Sequence, residues 1–190
     1  AIRIADSLLS FQMSHGGWSK GIDMVSHRRA EGEGPGIHHK DLGTFDNGRT
    51  TSQIRFLAAV YNAAKTERFK QGVLKGLEYI FKSQYPSGGF PQVYPLRGGY
   101  SDYVTFNDNA MQNVLALLKD VLESPEYRFV GDETNRKAEM AFKRGIEHIL
   151  KSQIKVNGVL TGWCQQHDPV SYEPRPGWYG PGLVRSYTLV

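Results

Sequence analysis

A short turn pattern recurs three times along the chain, each time directly after the apolar end of a predicted helix. In every copy a glutamine stands four residues before a turn pair whose second member is glycine. The copies are Gln12 with Gly16-Gly17, Gln84 with Gly88-Gly89, and Gln153 with Asn157-Gly158. A spacing of roughly seventy residues suits a repeated unit of helix, loop and helix. Because such units stack side by side, the repeat predicts an arc or ring of helical hairpins.

Five segments carry apolar residues with the spacing of an amphipathic helix. The predicted helices cover residues 1–12, Ile54 to about Lys65, 68–83, 111–122 and 134–152. Prolines and glycines interrupt 85–95 and the tail from Pro169, which excludes regular helix there. Residues 160–166 are predicted to be briefly extended. The predicted fold class is mainly α, an α/α toroid or incomplete α/α barrel of helical hairpins with long functional loops at one end.

Length and composition indicate one domain with a core of ordinary size, since 190 residues include 39% apolar and 22% charged side chains. No apolar run approaches the ~18 residues of a membrane span. The single cysteine excludes an internal disulfide. A formal charge of +4 weakly favours polyanions, but the basic residues are scattered and no nucleic-acid-binding motif occurs. We therefore expect neither a nucleic-acid nor a membrane partner. We also expect a monomer.

Two polar loops of similar sequence precede predicted helices: Thr44-Phe-Asp-Asn-Gly48 and Thr105-Phe-Asn-Asp-Asn109. One interpretation is helix capping by Asp46 and Asp108, because Asp and Asn are preferred N-caps that contribute about 1 kcal/mol. The other is a shared site, because each loop supplies two or three polar side chains where one cap is enough. Two carboxylates with asparagine oxygens on neighbouring helix starts would form an oxygen-rich cation site suited to Ca²⁺.

Several aromatic residues lie in the loops rather than on the apolar faces of the helices. Some are expected to be core, and exposed ones would be platforms for sugar rings. They are Trp18, Phe90, Tyr94, Tyr100, Tyr103 and Trp163. Arg55 is interpreted as a paired or partly buried side chain within its helix. The glycine- and charge-rich segment 25–40 is predicted to be a surface loop, in which His27, His38 and His39 are solvated.

The loops carry an ordered set of motifs. They are Gly16-Gly-Trp-Ser-Lys20, Thr44-Phe-Asp-Asn-Gly48, Tyr85-Pro-Ser-Gly-Gly-Phe-Pro-Gln-Val-Tyr-Pro95, Asp102-Tyr-Val-Thr-Phe-Asn-Asp-Asn-Ala-Met111 and Trp163-Cys-Gln-Gln-His-Asp168. Together they resemble the catalytic module of family 10 pectate lyases, from Ala1 to about Pro176. The resemblance implies an α/α toroid, secretion from the cell, and calcium-assisted β-elimination of polygalacturonate to unsaturated oligogalacturonides.

The resemblance also implies roles for individual residues. Asp46 and Asp108 would hold Ca²⁺, and Lys20 would bind a substrate carboxylate. Removal of the C5 proton of galacturonate places charge on that carboxylate, so these cations would stabilise the enolate-like state. The other predicted substrate-binding residues are Asn47, Arg49, Asn109 and Tyr103.

The chain departs from the family near its end. The family's base is an arginine in an Arg-Ala-Tyr-Glu segment, whose position is occupied here by about Trp178. Arg175 is the predicted catalytic substitute. We expect one pectate-lyase-like module over residues 1–190, truncated at both ends. The alternatives are a catalytically impaired pectate-binding fragment and an unrelated α/α-toroid carbohydrate-active enzyme, because similar turns also occur in other helical rings for packing reasons.

Overall fold

The computed structural model describes residues 1–37 and 41–175. About half of these residues are helical, so the fold is mainly α, as predicted. The α-helices in these two ranges are α1 (Ile2–Ser10), α2 (Thr51–Ala64), α3 (Glu67–Ser83), α4 (Ala110–Glu123) and α5 (Asp132–Ser152). All five predicted helices are confirmed, with ends that move by at most three residues. Each helix in the described part of the chain is too short or too polar to cross a membrane.

The helices lie in two rows. In one row α3 contacts α1 and α5, and in the other α2 contacts α4. The hairpins α2–α3 and α4–α5 connect the rows. Each helix turns its apolar face toward the space between the rows, where the core forms. Its largest fully buried side chains include Trp18, Phe45, Phe69, Tyr79 and Phe90. Burial of these faces supplies the main stabilisation, because short helices are marginal in isolation.

The glutamine of the repeated turn ties neighbouring helices of the first row together. Gln12 Nε2 donates to a carbonyl of its own turn and to a carbonyl of α3, both at 2.9 Å. Gln84 Nε2 does the same with its own turn at 2.9 Å and with α5 at 2.8 Å. The structural repeat is thereby confirmed for the first two copies. Gln153 differs, since its Nε2 donates to Thr161 O at 2.9 Å across a short β-hairpin.

Two glycines of these turns are required by close backbone contact. Gly16 has φ +103°, and a Cβ on it would lie 2.1 Å from the carbonyl oxygen of Lys75. Gly88 has φ +96°, and its Cβ would lie 2.0 Å from the carbonyl oxygen of Arg144. Any side chain at either position would therefore push the turn away from the next helix of the row.

Within the described residues, seven two-residue strands order the loops at one end of the helices. Strands β1 (Gly43–Thr44) and β2 (Val93–Tyr94) pair antiparallel. Strands β3 (Val104–Thr105), β6 (Gln166–His167) and β7 (Pro174–Arg175) form an antiparallel sheet in the order β3-β6-β7. Strands β4 (Lys155–Val156) and β5 (Val159–Leu160) form the hairpin after α5. The predicted extended segment 160–166 is confirmed only at its two ends, in β5 and β6.

Candidate active site

The two polar loops fold into short 3₁₀ turns, Asp46–Gly48 and Asn107–Asn109, that pack against each other. Each turn follows a threonine in a short strand and a buried phenylalanine. Both turns also contact α4. The similarity between the two loops is therefore spatial as well as sequential, and it brings the segments carrying Asp46 and Asp108 together.

Both turns place their second residue in the left-handed region of the backbone. Asn47 has φ 50° and ψ 37°, and the matching residue Asp108 has φ 52° and ψ 28°. Asn109 follows with φ 54° and ψ 29°. Asn and Asp adopt this conformation more readily than other residues with a Cβ. Position by position, Asp46 corresponds to Asn107 and Asn47 to Asp108. The carboxylate therefore comes first in one turn and second in the other.

Within each turn the asparagine side chain orients the carboxylate beside it. Asn47 Nδ2 donates to Asp46 Oδ1 at 3.2 Å, and Asn107 Nδ2 donates to Asp108 Oδ2 at 2.8 Å. Asp46 is buried, whereas Asn47, Asp108 and Asn109 are exposed. The pair of turns thus presents one sheltered and one accessible carboxylate.

The capping interpretation of Asp46 and Asp108 is wrong. The helix α2 begins five residues after Asp46 and has Thr50 at its N-cap position. The N-cap residue of α4 is Asn109, and no cap hydrogen bond is made by a side chain in either helix. Capping fails because each acidic residue belongs to a 3₁₀ turn that precedes the helix, so another residue takes the N-cap position.

The Asp46 carboxylate is only 2% exposed and forms an ion pair with Lys20, whose Nζ contacts Oδ2. The lysine side chain is 38% exposed, so its ammonium lies at the boundary between the buried carboxylate and solvent. A buried carboxylate requires such a countercharge. The structure therefore places Lys20 at the site, paired with the predicted metal ligand.

The donor set of the two turns fits Ca²⁺ in chemical type. Asp46 and Asp108 supply carboxylate oxygens, and the neighbouring asparagines supply amide oxygens. In the described ranges, no cluster of three acidic, histidine or cysteine residues could hold a metal. Because Ca²⁺ takes six to eight oxygens, water or a substrate carboxylate would complete the coordination that the side chains begin.

Arg49 lies at the end of the first turn, and its backbone N–H donates to Asp46 O at 3.0 Å. Its side chain is half-buried. For the part of the chain that the structure describes, no carboxylate pairs with its guanidinium. Arg49 is thus a second cationic residue beside the acidic turns, as its predicted substrate-binding role requires.

Arg175 and Tyr103 lie together on the sheet that leads into the second turn. Arg175 Nε and Nη2 donate to Asp168 Oδ2 at 3.0 and 2.7 Å. The guanidinium carbon lies 5.8 Å from the centre of the Tyr103 ring. Hydrogen bonding to Asp168 raises the pKa of Arg175. A raised pKa keeps the guanidinium protonated, so it has no free lone pair to take a proton and this geometry does not support Arg175 as a base. Trp178, His38 and His39 lie outside the described residues.

Sequence reasoning assigned no role to Asp168 beyond its place in a motif. Its Oδ1 accepts the backbone N–H groups of Val170 and Ser171, both at 2.9 Å. Together with Arg175, these bonds lower the pKa of Asp168 to about 2. A local signal for these bonds was present in the sequence, because an Asp side chain in a turn commonly accepts backbone N–H groups two or three residues further along the chain.

Two of the loop aromatics are core residues. Trp18 and Phe90 are fully buried, and Trp18 Nε1 donates to Leu8 O at 2.8 Å. They are therefore not sugar platforms. The other four aromatics are partly exposed. Arg55 is a paired residue, as interpreted, since its Nη2 lies 2.6 Å from Asp120 Oδ2.

Comparisons with known proteins add independent evidence. Residues 12–180 match the family model described as pectic acid lyase. A family 10 polysaccharide lyase from Cellvibrio cellulosa is similar in structure, with a TM-score of 0.81, 40% identity, and coverage of 91% of this chain and 53% of that chain. An aspartate-to-alanine mutant of that lyase, in complex with trigalacturonic acid, matches with 39% identity, the same coverage and a TM-score of 0.81. No curated protein matches. The chain spans about half the length of these solved structures.

Proposed function

This chain belongs to the pectic acid lyase family, and we propose that it cleaves polygalacturonate by β-elimination to unsaturated oligogalacturonides. The observation that carries the proposal is the contact between the two acidic turns, with Lys20 paired to Asp46 beside them. The trigalacturonic acid complex of the similar lyase supports the substrate class.

The chemistry explains why cations are needed in this site. Loss of the C5 proton of a galacturonate unit moves negative charge onto its carboxylate, and the bond from C4 to the bridging oxygen then breaks. A double bond forms between C4 and C5, and the leaving sugar takes up a proton. Positive groups that hold the carboxylate stabilise this charge as it develops. Lys20 and Arg49 are the side chains of this site that can do so.

We also propose Ca²⁺ as the cofactor, held by Asp46 and Asp108 with Asn47 and Asn109 beside them. When bound, it would supply positive charge to the substrate carboxylate. The exposed Asp108 is accessible to a cation from solvent, whereas Asp46 already has a countercharge in Lys20. A cation at this site would therefore compete with the lysine for the buried carboxylate.

The finer fold class, location and assembly are part of the same proposal. Two rows of helical hairpins and a TM-score of 0.81 with the similar lyase support an α/α toroid or an arc of one. A secreted enzyme fits a polymeric substrate that is too large to enter a cell. We propose a monomer, which size-exclusion chromatography with light scattering would test.

The test is the ultraviolet absorbance of the unsaturated product during incubation with polygalacturonate, with Ca²⁺ and with a chelator. We expect absorbance to rise with Ca²⁺ and to stay flat with the chelator or in Asp108→Ala. A folded protein that gives no rise with Ca²⁺ would refute the lyase activity.

A second candidate is a pectate-binding protein with impaired catalysis. The observation that favours it is the ion pair of Arg175 with Asp168, which stabilises the protonated guanidinium at the predicted base. Calcium-dependent binding of polygalacturonate without turnover would select this candidate. If neither binding nor turnover occurs, the result favours the third alternative, an unrelated carbohydrate-active enzyme of similar fold.

A further inference from the structure

We infer that Arg175, held by Asp168 against Tyr103, binds a uronate carboxylate of the substrate, and that Asp168 is the residue that positions it. The inference rests on the proposed function, because the ligand is one unit of the polygalacturonate chain. It changes the expected role of Arg175 from a base to a binding residue. It also gives Asp168 a function that sequence reasoning did not assign.

Asp168 is itself fixed in place. Its Oδ1 accepts two backbone N–H groups, from Val170 and Ser171, each at 2.9 Å. Backbone groups in a tight turn have little freedom, so the carboxylate plane is set by the chain. The same bonds lower the pKa of Asp168 to about 2, which keeps the carboxylate ionised at working pH. Arg175 therefore pairs with a rigid anion.

Arg175 has more hydrogen-bond donors than its pairing with Asp168 uses. A guanidinium carries five N–H donors in one plane. Its Nε and Nη2 bind Asp168 along one edge, which leaves the edge formed by Nη1 and Nη2 for another acceptor. The side chain is 44% exposed. A carboxylate matches that edge in shape and charge, and two parallel hydrogen bonds can form.

An aromatic ring lies beside the guanidinium. The guanidinium carbon lies 5.8 Å from the ring centre of Tyr103, within the range of a cation–π contact. Tyr103 is only half-buried. Arg175 and Tyr103 thus form one partly exposed surface that combines a cation with an aromatic ring. Such a surface suits a sugar ring that carries a carboxylate.

The sheet β3-β6-β7 connects this surface to the second acidic turn. Gln166 on β6 lies opposite both Arg175 on β7 and Thr105 on β3. Neighbouring strands are about 4.8 Å apart, so Arg175 and Thr105 are separated by about 10 Å across the sheet. The Asn107–Asn109 turn begins two residues after Thr105. Arg175 therefore lies about 10 Å from the strand that leads into the turn, where it suits another unit of the same polymer.

The experiment measures binding of trigalacturonate by isothermal titration to the wild-type chain and to Arg175→Gln. The matched control is Arg55→Gln, which removes the same kind of arginine–aspartate pair from the contact between α2 and α4. We expect Arg175→Gln to weaken binding about tenfold, the usual effect of losing hydrogen bonds to a charged group. Arg55→Gln should leave affinity unchanged. Asp168→Asn should weaken binding less than Arg175→Gln and should raise KM without lowering kcat.

Arg175→Lys covers the case in which Arg175→Gln does not fold, because it keeps the positive charge near Asp168 but loses the planar donor edge. Weaker binding by a folded lysine variant supports the inference. The inference is overturned if folded Arg175→Gln binds with wild-type affinity, or if Arg175→Lys does so when only that variant folds. Arg175 would then have only a structural role in the β6–β7 hairpin. That result is distinct from failure of the proposed function, in which the wild-type chain itself neither binds nor cleaves the substrate.

Discussion

Lys20 and Asp46 form an ion pair in which the carboxylate is 2% exposed and the lysine side chain is 38% exposed. This pair joins the Gly-Gly-Trp turn of the first repeat to the first acidic turn. The lysine thereby neutralises a buried charge at the centre of the proposed site. The stability of the metal-free protein and its response to cations should both depend on this contact.

Lys20→Met should lower the free energy of unfolding by about 1–2 kcal/mol, because Asp46 would remain buried without a countercharge. This loss of stability is smaller than for a fully buried ion pair because the lysine is partly exposed to solvent. The double variant Lys20→Met with Asp46→Asn should recover most of the loss. Urea denaturation measures these energies. Lys119→Met is the control, since its pair with Glu123 is exposed at 3.8 Å and its loss should cost little.

Calcium should stabilise Lys20→Met more than the wild-type chain, since the metal would no longer compete with an ammonium for Asp46. This prediction rests on the proposed cofactor. Thermal unfolding with Ca²⁺ and with a chelator gives the shift in Tm for each protein. Asp46→Asn should show the smallest shift. Equal shifts in the wild-type and Lys20→Met proteins would show that lysine and metal occupy different places.

Asp108→Ala should abolish lyase activity, which means a fall of at least about a hundredfold in kcat/KM, while the free energy of unfolding changes by no more than about 0.5 kcal/mol. The side chain is exposed and does not cap α4, so the fold does not depend on it. The control Asp132→Ala removes an exposed carboxylate from the first turn of α5 and should retain activity. A collapse of stability with normal residual activity would assign Asp108 a structural role only.

Gly88→Ala should destabilise the protein by about 3 kcal/mol or more, because the new Cβ would meet the Arg144 carbonyl oxygen at 2.0 Å. Gly98→Ala is the matched control. Gly98 also has a positive φ, of +91°, but a Cβ there meets nothing within 4 Å. Gly98→Ala should lower the free energy of unfolding by about 1 kcal/mol, from backbone strain alone. Similar losses in the two variants would mean that the turn does not need its close contact with α5.

The free energy of unfolding should fall as pH is lowered from about 6.5 to about 4, in part because of His148. Burial lowers the pKa of His148 to about 4, with smaller contributions in the same direction from His167 and Lys151, and the backbone of Ser87 opposes them only partly. The folded protein keeps the ring neutral, whereas the unfolded chain takes up a proton below about pH 6.5. Stability is therefore full above that pH and declines below it, by up to about 3 kcal/mol.

His148→Leu tests this origin, since the imidazole is fully buried and contacts the Tyr172 ring at 5.0 Å between centres. The variant should flatten the slope of stability against pH between about 6.5 and 4 and leave stability at pH 8 nearly unchanged. Burial also lowers the pKa of His15 and His167, so part of the slope should remain. An unchanged slope in the variant would exclude His148 as a source.

The helices and turns were predictable because their signals are local. Apolar residues spaced along α4 determine which face of that helix is buried, and Gly88 marks a turn that no other residue fits. The similarity of the two polar loops was also visible, and the two turns do pack against each other. The capping interpretation failed because Asp46 and Asp108 lie in 3₁₀ turns ahead of the helices, which the sequence pattern did not distinguish from the helix starts.

The sequence by itself therefore determined the mainly helical architecture, the repeat and the residues available for a site. Only the tertiary structure decided which of them meet. The pairing of Lys20 with Asp46 and the packing of the Asp108 turn against the Asp46 turn depend on how two hairpins stack. The pairing of Arg175 with Asp168 depends on the return of β7 to β6. These contacts are set by packing and electrostatics across the fold, which the local spacing of residues does not encode.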